Sequence, residues 1–179
     1  MQSIQVSKGI SSVKNGYEAI TGQINVEFKK PQLPEADWVS ANLFASSTSR
    51  YEANADATLK LSKRWSTSLL AHYENETKAH DGNDDGFVDI PRVEQYNVWN
   101  RWAYMGDHYV FQAGFKALSE SRNSGQAHHA GMQSGDLYKV GIDTERYELF
   151  TKNAYIFNKE KNTNLALILS ASWHNQDAM

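Results

Sequence analysis

The chain has 179 residues, a net charge of −3, no cysteine and a mean hydropathy of −0.63. That charge leaves no basic footprint for a nucleic-acid partner, and the lack of cysteine excludes a disulfide framework, a thiol nucleophile and a thiolate metal site. No apolar run approaches the roughly 18 residues of a transmembrane helix, but a transmembrane β-strand turns only alternate residues to lipid, so hydropathy does not separate a soluble β protein from a membrane barrel.

The first organised stretch is 4–26. Ile4 and Val6 alternate with Gln5 and Ser7, and Ile24, Val26 and Phe28 alternate with Gln23, Asn25 and Glu27, which is strand period. Between them, Ser11 or Ser12 suits the start of a short helical turn and Gly16 its close. Lys29-Lys30-Pro31 ends the second run, because proline has no N–H for a ladder. Residues 32–37, with Pro34 soon after Pro31 and two acids, read as a linker and set a domain boundary.

Beyond the linker the pattern changes to long alternating runs: 38–46, 51–62, 66–76, 93–105, 108–119, 145–158 and 163–175. Most are about ten to fourteen residues, against about five or six for a typical soluble strand. An outer-membrane strand needs roughly ten to cross the apolar band at a tilt. The connections 63–65, 106–107 and 159–162 are short, whereas 77–92 and 120–144 are long; the short 47–50 is the exception. Outer-membrane barrels have that asymmetry, with short periplasmic turns and longer outer loops. Trp38, Trp65, Trp102, Tyr104, Tyr109, Tyr155 and Phe157 fall near the ends with short turns, where amphipathic rings suit a membrane boundary.

The segment 4–26 resembles the end of the plug domain of TonB-dependent outer-membrane receptors. The resemblance rests on an apolar strand at Ile4 to Val6, Lys8-Gly9, the small-residue turn Ser11-Ser12-Val13, Gly16, Ala19-Ile20, Gly22 and the strand Ile24-Asn25-Val26. The family usually has proline after the first glycine, where this chain has Ile10. The match covers about thirty residues. It implies a mainly β chain: 1–31 the C-terminal part of a plug, 32–37 a linker, and 38–179 about seven strands of an antiparallel transmembrane β-barrel wall. Met1 would then stand in place of an upstream half-plug, and the chain would be a fragment of a barrel of about 22 strands. The resemblance further implies energised uptake of a scarce, bulky solute such as an iron chelate, haem, cobalamin or an oligosaccharide. The implied partners are the TonB energy-transducing complex, through the missing upstream region, and outer-membrane lipid. Lys8 would pair with acidic groups on the barrel wall.

The sharpest chemical pattern is 81–89. Asp81, Asn83, Asp85 and Asp89 supply side-chain oxygens, Phe87 a carbonyl, and Gly86 a sharp turn. That is the spacing of the first half of a calcium loop, since Ca²⁺ takes six to eight oxygens from a tightly turned segment. Arg92 stands where the bidentate glutamate belongs; Glu94 is the nearest substitute. The other reading is a solvated Asp/Asn/Gly turn, because clustered carboxylates require either an ion or open solvent. His128-His129 lies in the second long connection; adjacent histidines can bind a transition metal or haem iron, but with no carboxylate or thiol neighbour in sequence the pair reads as flexible polar loop. Gly-x-Ser-x-Gly, phosphate-loop, dinucleotide and His-Glu-x-x-His patterns are absent, so the sequence offers no enzyme signature. The competing class is a soluble or surface β-sandwich binding module with a structural calcium loop.

Overall fold

The computed structural model describes residues 3–9, 22–27, 31, 38–127, 137–158, 160–161 and 163–179. The expected helical turn around Ser11 to Gly16, the Ala19-Ile20 pair, Phe28, the 32–37 linker and His128-His129 lie outside them. The chain divides into two compact units, Met1–Lys30 and Pro31–Met179.

In the first unit β1 (Ser3–Lys8) pairs antiparallel with β2 (Gly22–Glu27). The register sets Ile4 opposite Val26 and Val6 opposite Ile24, so the four apolar side chains share one face of the ribbon. All four are exposed.

The second unit is one antiparallel sheet in chain order: β3 (Trp38–Ala45), β4 (Arg50–Lys60), β5 (Trp65–Glu76), β6 (Arg92–Met105), β7 (Tyr109–Gly125), β8 (Lys139–Asn158) and β9 (Thr163–Ala178). The seven expected strands are all present and each pairs with its sequence neighbours. β3 and β9 are edges, and the described strands do not close on themselves. Two boundaries differ substantially from expectation. β7 runs to Gly125 rather than Ser119, and β8 starts at Lys139 rather than Glu145, so the connection expected over 120–144 shrinks to 126–138. The segment added to β7, 120–125, is polar on both faces, whereas the one added to β8 carries Val140 and Ile142 on one face. Pairing through 120–125 continues by backbone hydrogen bonds with no apolar alternation to reveal it in sequence. The alternation of Val140 and Ile142 with Lys139, Gly141 and Asp143 is a strand signal that the expected start at Glu145 left out.

The register gives the two faces opposite chemistry. One rung crosses all seven strands as Ala41, Ala55, Ala71, Val98, Ala117, Tyr147 and Trp173. The adjacent rung, which points to the other face, reads Asn42, Asn54, His72, Asn97, Leu118, Arg146 and His174. The apolar face is bare: Leu43 is 81% exposed, Val39 72% and Leu165 66%. The best-buried side chains lie instead on the polar face near the short-turn end, where Ser66 and Ala103 are fully buried. The Ser66 hydroxyl donates there to the carbonyl of Pro31. Beside them the Arg101 guanidinium, also buried, stacks 4.9 Å over the Trp99 ring.

Asn100 and Asn153 lie on the apolar face, and both are satisfied. Asn100 donates to the Ser68 carbonyl at 3.1 Å and to Thr67 Oγ1 at 3.3 Å, and accepts from the Trp102 indole at 2.5 Å. Asn153 accepts from the Tyr109 hydroxyl at 2.6 Å. A buried amide is tolerable in apolar surroundings when its hydrogen bonds are made.

Candidate functional site

Three features stand out on this sheet: a folded loop, a charged rung beneath it, and two aromatic levels on the apolar face.

The loop between β5 and β6 is built by its own side chains. Asp81 Oδ1 accepts from the Asp85 N–H at 3.2 Å and Asp81 Oδ2 from the Gly86 N–H at 2.9 Å. Asn83 Oδ1 also takes the Asp85 N–H at 3.2 Å. Asp85 accepts from the Phe87 N–H at 2.8 Å and from the Asn83 amide at 3.0 Å, while Asp89 accepts from the Gly82 N–H at 2.6 Å. Short polar side chains that bond to nearby backbone favour such turns over a ladder. The sharp bend falls at Asp84 and Gly86, with φ of 58° and 86°.

All five residues expected as cation ligands, Asp81, Asn83, Asp85, Phe87 and Asp89, are therefore in one compact loop. Their oxygens are the hard donors that Ca²⁺ takes, and a carboxylate oxygen that accepts one N–H keeps a second lone pair. Among the described residues, however, no three acidic or histidine side chains converge as a cation site requires. Glu94, the expected substitute ligand, instead accepts the Tyr96 hydroxyl at 2.8 Å from within β6.

The loop is also anchored at both flanks. His80 Nε2 donates to the Thr48 carbonyl at 2.6 Å in the β3–β4 turn and lies 3.8 Å from Glu76 Oε1. Glu76 is 4% exposed. On the other flank the Val88 N–H donates to the Gly125 carbonyl and the Ala127 N–H to the Gly86 carbonyl, both at 2.8 Å. His80 and Glu76 had no sequence signal beyond their i, i+4 spacing next to a strand end.

Below the loop a rung of the polar face reads Glu52, Glu74, Gln95 and Glu120 across β4 to β7. Arg50 bridges Glu52 at 2.7 Å and Glu74 at 3.1 Å. Arg122 binds Glu120 through Nε at 2.6 Å and a second nitrogen at 3.1 Å, and Gln95 donates to the same carboxylate. His72 sits between Asn54 Oδ1 at 2.7 Å and Glu74 at 3.6 Å. With Glu76 the group has four carboxylates against two guanidiniums, an excess of negative charge.

The aromatic levels lie on the apolar face. Near the short turns Trp65 pairs with Tyr104, ring centroids 5.2 Å apart, and Tyr109 stands opposite Tyr155. The tight turn below is clasped by Arg64, which reaches Asp107 at 3.0 Å and the Tyr104 hydroxyl at 3.5 Å. That hydroxyl, then Asp107, holds the Arg64 pKa above its ordinary value. The second level was missed in sequence: Tyr73 opposite Tyr96 with centroids 4.9 Å apart, and Tyr147 stacked on Trp173 at 5.5 Å. The signal for it is an interval of eight positions on three strands: Trp65 to Tyr73, Tyr96 to Tyr104, and Tyr147 to Tyr155.

The chain matches no protein-family model, no curated protein and no solved structure.

Proposed function

We propose that the seven-stranded sheet is part of the wall of a TonB-dependent outer-membrane transporter, and that the first unit is the end of its plug. The observation that carries this is the paired aromatic levels. Counting both ends, Trp65 to Tyr73 is nine residues, as are the other two intervals. A tilted transmembrane β-strand needs about 9–11. Amphipathic rings at both edges of an apolar band are the girdles of an outer-membrane barrel. The rung chemistry supports the same reading: a face of alanine, valine and aromatics meets lipid, and a face of asparagine, histidine and arginine meets a lumen. A soluble sandwich needs a second sheet on the apolar face, and the described residues of the second unit form one sheet alone.

On this reading the short turns are periplasmic and the loop 77–91 is extracellular. The protein is a carrier, with no catalytic step. The TonB complex supplies energy through a segment upstream in the full receptor, and the solute is a scarce, bulky compound taken up along the polar face. A calcium ion at Asp81 to Asp89 would brace the outer loop.

Because the chain has no native cysteine, single probes are clean. Ala113→Cys lies on the apolar face and Lys116→Cys on the polar face of β7. Each is labelled with a fluorophore and reconstituted into bilayers with brominated acyl chains. Strong quenching at position 113 with weak quenching at 116 is expected. Equal quenching, or a chain that stays folded and monomeric in plain buffer, would overturn the membrane wall.

A further inference from the structure

The loop 81–89 spends its polar groups on its own backbone, yet it leaves one large ring outside. Phe87 is 48% exposed. It forms an antiparallel bridge with Gln126, flanked by the Val88–Gly125 and Ala127–Gly86 hydrogen bonds. Gln126 is in turn bonded to Tyr138: its N–H donates to the Tyr138 carbonyl at 2.8 Å, and the Tyr138 N–H donates to Gln126 Oε1 at 2.9 Å. Tyr138 is 64% exposed. Three chain segments thus form one rung with an aromatic residue at each end and a glutamine between.

Two successive strand spacings put the Phe87 and Tyr138 backbones about 10 Å apart. A flat group in contact with a ring on each side needs ring planes about 7–8 Å apart, twice the usual carbon contact. Backbones at that separation leave room for one planar group between two such rings, above the Gln126 side chain, whose Oε1 is held by the Tyr138 N–H. Charge narrows the choice further. Residues 80–90 hold four aspartates and neither lysine nor arginine. At the same end of the sheet Glu52, Glu74, Glu76 and Glu120 outnumber their partners Arg50 and Arg122, leaving an excess of negative charge beside the one cation next to Tyr138 in the chain, Lys139. A cation over an aromatic face is attracted by the ring quadrupole, and nearby carboxylates add to that attraction while repelling an anion.

We propose that Phe87 and Tyr138 are the two sides of a binding site for a flat, positively charged ring system. As the entry point for a carried solute, the site rests on the transport reading above; as a binding site it does not. The geometry also accounts for the loop's self-made turns. They fix the Phe87 backbone in place without burying its ring, so little backbone freedom is lost when a ligand arrives.

The test uses the full chain in dodecylmaltoside micelles, ring-labelled at phenylalanine and tyrosine for NMR. The probes are the N-methylquinolinium cation and the 2-naphthalenesulfonate anion, flat rings of similar size and opposite charge. Saturable shifts of the Phe87 and Tyr138 signals with the cation are expected, with the anion at least about tenfold weaker. Phe87→Leu and Tyr138→Leu should each weaken the cation by about threefold or more. Both side chains are exposed, and an unchanged Asp89 amide signal shows that the loop stays folded. Non-saturable shifts, equal binding of the anion, or variants that bind as well as the parent overturn the site. A chain that binds the cation but does not insert into lipid keeps the site and loses the transporter. A chain that inserts without binding does the reverse.

Discussion

Gly114 and Phe150 face each other across β7 and β8, and the phenyl ring lies where a β-carbon on Gly114 would stand. The missing side chain lets the ring lean over the sheet toward Arg101, whose guanidinium is 6.0 Å from it. Arg101 is itself the partner of Gly114 on β6. One rung thus joins a cation, a gap and a ring. Gly114→Ala should force the ring aside and cost about 1–3 kcal/mol, the usual penalty for overpacking. Urea unfolding in micelles measures it. A cost within experimental error would show that the ring moves away freely.

Leu69 lies midway between the two aromatic levels of β5, on the apolar face. If that face meets lipid, Leu69→Arg should cost about 2–4 kcal/mol in bilayers, because the charge sits at the midplane. Asn75→Arg, beyond the upper level on the same face, should cost about 0–1 kcal/mol. Unfolding titrations of both variants in the same lipid provide the comparison. Equal costs would place both positions in similar surroundings and remove the depth dependence that a membrane requires.

The legible part of this fold is the part with a period. Alternation of Ala53, Ala55 and Ala57 with Asn54, Asp56 and Thr58 has only one reading as a strand, and the short turns after it fix the antiparallel order. Legibility fails where both faces are polar. Ser121, Arg122 and Asn123 carry no period, yet β7 continues through them because backbone pairing with β8 is indifferent to side-chain polarity. The loop chemistry was half legible. The spacing of Asp81, Asn83 and Asp85 announced a turn that gathers oxygens, but not that backbone N–H groups would claim them. Glu94 looks like a ligand in sequence because its spacing does not show that the Tyr96 hydroxyl, two residues on, donates to its carboxylate. The rung from Phe87 to Tyr138 joins residues 51 positions apart through a backbone bridge, and no local pattern announces such a contact.

His80 anchors the β5–β6 loop through one nitrogen, which donates to Thr48 and faces Glu76. Removing the ring leaves the Thr48 carbonyl without this donor and Glu76 buried beside an empty space. His80→Ala should therefore cost about 1–3 kcal/mol, the range for stranding a buried polar group. The loss should be local. The Asp89 amide, which donates to the His80 carbonyl at 2.7 Å, should exchange faster with solvent, while the amides of β6 keep their protection. Hydrogen exchange resolves the two. Unchanged exchange at Asp89 would mean that the Gly125 side of the loop holds it alone.

Asp85 decides between the two readings of the acidic loop. Its carboxylate holds the Phe87 N–H and the Asn83 amide, so Asp85→Ala should loosen the turn by about 1–3 kcal/mol, one to two net hydrogen bonds, with or without an ion. Calcium adds a separate effect. If the loop takes the ion, binding to the folded state raises the unfolding midpoint in proportion to the logarithm of calcium concentration. That rise should appear in the parent chain and shrink sharply in Asp85→Ala, because the site loses one of its three ligand carboxylates and one of its five oxygen donors. Magnesium should act more weakly at equal concentration, since it gives up its water shell reluctantly and demands a stricter octahedron than this five-donor loop offers. Parallel calcium responses in the parent and the variant would dismiss the ion. The carboxylates would then serve only to hold the turn that presents Phe87.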